Sequence, residues 1–221
     1  MSGPQSPVPP AVSSAWQSVA DGLLRGLNHT LSNRVSALSS YGAFVEAGEE
    51  LDPDHLAALV TEVAQLERLL RLYRLLPLSA DGREEPVRVG DALPDAADLI
   101  AAHLDLRTVP LRIDVADDAP PVLARLSALV QALALLLHEA GERALEAGDG
   151  ATLNVRVFGA GDRVMTAIAA SLAAGPAPTD GPVADAVTAL LPGATLEALD
   201  APAWGLVLSM PNLAAARQTR A

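Results

Sequence analysis

The sequence contains no cysteine and no lysine, only 3% aromatic residues, and no long apolar run free of charge. Without cysteine there is no disulfide and no thiolate chemistry, and a cytoplasmic home is the default expectation. Without lysine there is no Schiff base and no phosphate-binding Walker lysine. All 15 basic residues are arginines, set against 27 acidic ones for a net charge of −12. Nucleic acid is therefore not an expected partner, because neutralising its phosphates needs a basic face. The lack of an uncharged apolar run of membrane-spanning length predicts no membrane span. Met1 to Val12 is rich in proline and serine and has neither the basic start nor the apolar stretch of a secretory signal. It reads as a disordered arm. What is abundant is hydrophobic: half of the 221 residues, enough to bury a core in one large or two small domains.

Apolar residues recur at Trp16, Val19, Leu23, Leu27, Leu31, Val35, Leu38 and Val45, the three-and-four spacing of one helix face. Ser13 or Ser14 is the expected cap, and Gly48 with the stretch to Asp52 the expected end. Asp52 and Pro53 then suit the cap and first turn of a second helix, which carries Leu56, Leu59, Val63, Leu66, Leu70 and Tyr73 and stops before Pro77. Residues 13–78 thus read as an antiparallel helical hairpin. Such a hairpin cannot bury both stripes alone, and pairing into a homodimeric four-helix bundle is the expected solution. Ser79 to Pro86 reads as a polar linker, and residues 86–213 as a mixed region. Helices are predicted over Leu93–His103, Leu126–Ala147 and Val183–Leu191. Strands are predicted at Leu111–Val115, Leu153–Val157, Val164–Ala170, Thr195–Leu199 and Leu206–Met210, with a hairpin turn over Gly159–Asp162. The expected class is α+β, with a helix layer on one sheet face.

Among the four histidines, His29 lies inside the first helix pattern, roughly opposite Leu27 and Leu31 and so off the apolar stripe. Its own face carries Arg25, Ser32, Asn33, Ser36 and Ser40, which are polar and mostly small. Taken alone, such a histidine reads as an ordinary surface residue. His55, His103 and His138 have no metal-ligand spacing and read as structural or surface residues, so no metal site is expected in the chain.

The stretch Leu27-Asn28-His29-Thr30-Leu31-Ser32-Asn33-Arg34-Val35 resembles the H-box of sensor histidine kinases. In that family the first helix of a dimeric hairpin carries a phosphoacceptor histidine. The remainder resembles the family's ATP-binding α/β sandwich in linear order. Pro86 to Leu106 matches its opening helix, Val109 to Pro121 a strand and turn, Leu126 to Ala147 the N-box helix, and Val183 to Pro211 the closing helix, glycine turn and strands. The likeness covers nearly all of residues 13–211.

The departures from the family pattern concern its nucleotide site. The N-box spacing puts Glu139 first and Arg143-Ala144 where the magnesium-ligating Asn-Ala belongs. A guanidinium has no lone pair to offer a metal. Ser171 to Gly175 stands where the family has Asp-x-Gly-x-Gly, and only Pro176 to Pro182 remains for the ATP lid. In the H-box, Thr30 replaces the acidic neighbour that serves as base when the histidine attacks ATP. The resemblance therefore implies a degenerate ATP-binding domain and no ATP-dependent kinase activity. It points to a dimeric (ChpT-like) histidine phosphotransferase of two-component phosphorelays. His29 would exchange phosphate with receiver-domain aspartates, with magnesium needed only on the receiver partner and Asn33 at the position that orients water in the family's phosphatases. Two alternatives stay open: a non-catalytic scaffold that binds a response regulator or kinase, and an active kinase with a divergent pocket.

Overall fold

The computed structural model describes residues 10–48, 52–78, 82–199 and 203–219. Helix α1 (Pro10–Glu46) is followed by α2 (Pro53–Leu75), strand β1 (Glu85–Val87) and α3 (Val89–Ala102). Then come β2 (Leu111–Val115), β3 (Val122–Ala124), α4 (Leu126–Ala147), β4 (Leu153–Ala160) and β5 (Arg163–Ala174). α5 (Pro182–Leu190), β6 (Thr195–Ala198), β7 (Ala203–Pro211) and α6 (Leu213–Thr219) complete the described chain. The result is a mixed α and β fold headed by a long helix.

The start of α2 follows from its first residues. The Asp52 carboxylate accepts the His55 backbone N–H at 2.8 Å, which pulls its own pKa down, and Pro53 fills a position whose N–H would be orphaned. α1 begins earlier than its sequence suggests. Ser13 and Ser14 lie within the helix rather than capping it, and Pro10 to Val12 is helical rather than part of an arm. The reason is burial: Val12 is as enclosed as Trp16, so one more turn covers apolar surface. Met1 to Pro9 and the linker residues 79–81 lie outside the described residues. Pro86, expected in the linker, instead sits in β1, which pairs antiparallel with the unforeseen strand β3. α3 starts at Val89 and accommodates Pro94, because Val89, Ala92 and Leu93 are all buried.

Five strands form a sheet in the order β2-β4-β5-β7-β6. β2 and β4 run parallel and the other neighbours antiparallel. β4 alternates buried and exposed residues, the mark of a sheet with one covered face. α4 lies on that face. Its residues 128–137 are buried all round, because α1, α3 and α5 surround the side turned away from the sheet. Among the described residues no helix is long and apolar enough to cross a membrane.

The proximal half of α1 belongs to this same core. Val12, Trp16, Val19, Leu23 and Leu27 are buried with α3, α4 and α5 in one continuous cluster. Half of the α1 stripe is thus covered within the chain. Gly22 and Gly26 allow the close approach. A methyl group on Gly26 would stand 1.6 Å from the carbonyl oxygen of Ala102, and one on Gly22 would stand 2.2 Å from Nε2 of His103. The exit from α2 is tied down as well. Trp16 Nε1 donates to the Leu76 carbonyl at 2.7 Å, and Gln131 Nε2 donates to the carbonyls of Leu75 at 2.7 Å and Pro77 at 3.0 Å. Arg68 and Arg71 on α2 pair with Asp98 and Asp95 on α3.

Candidate functional site

Beyond Leu27, α1 rises out of the core, and its residues separate by face. His29 is exposed midway along the helix. At about 100° per residue, Arg25, Ser32, Asn33, Ser36 and Ser40 fall on the same side. All five are exposed. Three of these side chains bond back to the helix: Arg25 Nε donates to the Asp21 carbonyl at 3.4 Å, Ser32 to that of Asn28 at 2.9 Å and Ser40 to that of Ser36 at 3.0 Å. Short hydroxyls folded back onto the helix leave the imidazole standing above the turns that follow it.

Two residues next to the ring differ in what they can do. The Asn33 amide nitrogen lies 3.3 Å from His29 Nε2. Thr30 is half-buried, and its hydroxyl donates to the Gly26 carbonyl at 3.0 Å, so it is held away from the ring. The turn carrying His29 is anchored to α2. The Tyr73 hydroxyl donates to Asn28 Oδ1 at 2.8 Å, and Arg34 makes a forked contact with Glu62 at 2.8 and 3.0 Å. Partial burial pushes the Tyr73 hydroxyl pKa above its usual value, which keeps it a donor. Asn28 and Tyr73 carry no signal in the sequence for this pairing, since they stand 45 residues apart on different helices. The Gly22-x-x-x-Gly26 spacing, by contrast, is a readable sign of close helix packing.

Of the other candidate residues, Arg143 and Gly175 line a cleft of about 410 Å³ between the end of α4 and the end of β5, with Glu146, Leu172 and Trp204 also in its walls, while Glu139 and Ser171 are not among its lining residues. Arg143 is flanked by Glu139 at 3.7 Å and Glu146 at 2.9 Å. Burial raises the Glu139 carboxyl pKa, while Arg143 lowers it and Glu142 and Glu146 raise it further. Ser171 accepts the Thr152 backbone N–H at 2.8 Å and shares a hydrogen bond with the Thr152 hydroxyl at 3.0 Å. It stitches β4 to β5 rather than facing a ligand. Gly175 adopts a φ of +97°, and just before it Leu172 takes +65° where the β5–β7 register shifts. Only residues 175–181 connect β5 to α5.

The remaining histidines lie elsewhere in the fold. His55 sits beside Asp52, Tyr41 and Phe44 at the hairpin tip. His103 and His138 meet edge to face with centroids 5.1 Å apart beneath α1. Burial, with His103 close by, lowers the His138 pKa to about 4.

No protein-family model matches the chain, and no curated protein does. Solved structures do. The Acinetobacter baumannii histidine kinase AdeS matches at 15% identity over 84% of this chain and 98% of that one, with a TM-score of 0.46. The histidine kinase ThkA, solved in complex with the response regulator protein TrrA, matches at 12% identity over 89% of this chain and 63% of that one, with a TM-score of 0.47. The blue-light activated histidine kinase EL346 of Erythrobacter litoralis matches at 17% identity over 86% of this chain and 62% of that one, with a TM-score of 0.43. All three scores lie below 0.5, so the likeness decides nothing about activity or partners.

Proposed function

We propose that this chain is a histidine phosphotransfer protein of two-component signalling. In this reading His29 exchanges a phosphoryl group with aspartates of response-regulator receiver domains in the cytoplasm, without ATP. The observation that carries the reading is an exposed imidazole midway along a hairpin helix, with short polar side chains along the turns that follow it. A receiver can approach such a column closely, and it brings the magnesium and the acidic pocket. The protein supplies one neutral ring nitrogen. The phosphorus–oxygen bond to the aspartate breaks as the phosphorus–nitrogen bond forms, and the carboxylate leaves with the electron pair.

The cleft argues against a nucleotide as phosphate source. Its guanidinium is already flanked by two carboxylates, which disfavour a polyphosphate, and the Ser171 hydroxyl is committed to Thr152. These contacts support a reading without magnesium-ATP, and no step is assigned to it.

Homodimerisation completes the reading. Leu56, Val60, Val63 and Leu70 form one stripe along α2 and are 43–69% exposed, with Val35 of α1 also open. A second hairpin would cover them in a four-helix bundle.

The test is a transfer assay with receiver domains from the same genome, each loaded from labelled acetyl phosphate. Label should appear on the wild type and be absent from His29→Ala. Equal labelling of the two proteins would refute the reading. A scaffold role is the second reading, favoured by the lack of an acidic group beside His29 and by Thr30 being tied to Gly26. It predicts receiver binding with no label on either protein. Nucleotide binding in a calorimeter would instead support a divergent kinase.

A further inference from the structure

We infer that Asn33 is a positioning residue that fixes which nitrogen of His29 reacts. The use made of that nitrogen rests on the phosphotransfer reading; the ring's tautomer does not. The contact is Asn33 Nδ2 to His29 Nε2 at 3.3 Å. A side-chain NH₂ can only donate, so Nε2 must accept, and a neutral imidazole that accepts at Nε2 carries its proton on Nδ1. The lone pair at Nε2 then points along the exposed column of α1, toward the side from which a partner can come.

Three consequences follow from chemistry alone. First, the attacking nitrogen bears no proton, and the Nδ1 proton stays on the ring, which becomes an imidazolium as the phosphorus–nitrogen bond forms and then releases that proton to solvent. This accounts for a site in which the adjacent residue is Thr30, with its hydroxyl turned to the Gly26 carbonyl. Second, the amide occupies the lone pair until phosphate arrives. As the Nε2–phosphorus bond forms, Asn33 loses its acceptor on the ring and gains one on a phosphoryl oxygen, where a hydrogen bond to an anion is stronger. Third, the same amide stays against the phosphoryl group after transfer, and this sets the access of water to phosphohistidine. None of this needs a residue from outside the helix, because positions four apart share one face.

The experiment uses the full chain labelled with ¹⁵N, with His29→Gln to assign the ring signals. Long-range ¹⁵N–¹H correlation at alkaline pH reads which ring nitrogen carries hydrogen. Wild type should show a protonated Nδ1 and a bare Nε2. Asn33→Asp presents an acceptor only, so the proton should move to Nε2. Asn33→Ala should relax the ratio by about fivefold, the worth of one ordinary hydrogen bond. Phosphoramidate then serves as phosphate donor: its nitrogen–phosphorus bond breaks, ammonia leaves, and ³¹P–¹⁵N coupling locates the new bond. Initial charging at Nε2 should slow about fivefold in Asn33→Ala and at least about tenfold in Asn33→Asp, the larger effect reflecting a charge-assisted contact. A wild-type ring protonated on Nε2, or Asn33→Asp charging as fast as wild type, overturns the inference. Receivers that fail to label His29 while the tautomer and phosphoramidate results hold would defeat the transfer reading and uphold the role of Asn33.

Discussion

Gly26→Ala should destabilise the protein, although alanine is the better helix former by about 1 kcal/mol. The added carbon would stand 1.6 Å from the Ala102 carbonyl oxygen, where about 3.0 Å is the least that real contacts allow, so the backbones of α1 and α3 must part by about 1.4 Å. No side chain can rotate to relieve this, since both obstructing atoms belong to main chain. Moving α1 also disturbs Leu23 and Leu27, which flank the glycine and are fully buried. Overpacking of this kind costs about 1–3 kcal/mol and more where the backbone must move, so a net loss of at least about 2 kcal/mol is expected. That corresponds to roughly 4–8 °C in Tm for a chain of this size. Gly42→Ala is the internal control. It lies in the same helix with nothing among the described residues within 4 Å of the added carbon, and should gain about 1 kcal/mol from propensity alone. Urea titrations followed by circular dichroism at one protein concentration give both values. If Gly26→Ala matched or exceeded wild type while Gly42→Ala gained, the seating of α1 on α3 described above would be wrong.

Stability should also fall on mild acidification because of His138. Its folded pKa of about 4 lies below the ordinary 6.5, so the unfolded chain binds the extra proton. That contribution is complete above pH 6.5 and is lost as pH falls toward 4, by about 2 kcal/mol between pH 7 and pH 5; urea midpoints at the two values should converge in His138→Gln. Thr166 is fully buried with its hydroxyl lacking a partner among the described residues, so Thr166→Val should stabilise by about 1 kcal/mol, read as a higher urea midpoint. Tyr73→Phe removes the tether to Asn28 and should cost about 1 kcal/mol in the same titration. Val60→Glu, on the most open position of the α2 stripe, should abolish the proposed dimer in light scattering while leaving the circular dichroism spectrum unchanged.

Much of the element order was legible because it depends on local chemistry. The Asp52-Pro53 cap, the span Leu126–Ala147 and the turn before Arg163 all sit where short-range rules put them. The misplacements share one cause. Pro10–Val12, β1, β3 and the first turn of α3 are held by partners far along the chain, and periodicity within a window cannot register them. At the site, the face of α1 that carries His29 was readable from helical spacing. The Asn33 contact lies within reach of the same rule, but the Tyr73–Asn28 bond does not.

By itself the sequence determined that His29 leaves the apolar stripe, that mostly small polar residues share its side, and that arginine stands at 143 and serine at 171. Those are matters of residue type and of a fixed angle per residue. Only the tertiary structure decided that half of α1 is sunk in the α/β core while the half bearing His29 stands clear. That division depends on Gly22 and Gly26 meeting the end of α3, a contact between segments about 80 residues apart that no local pattern encodes.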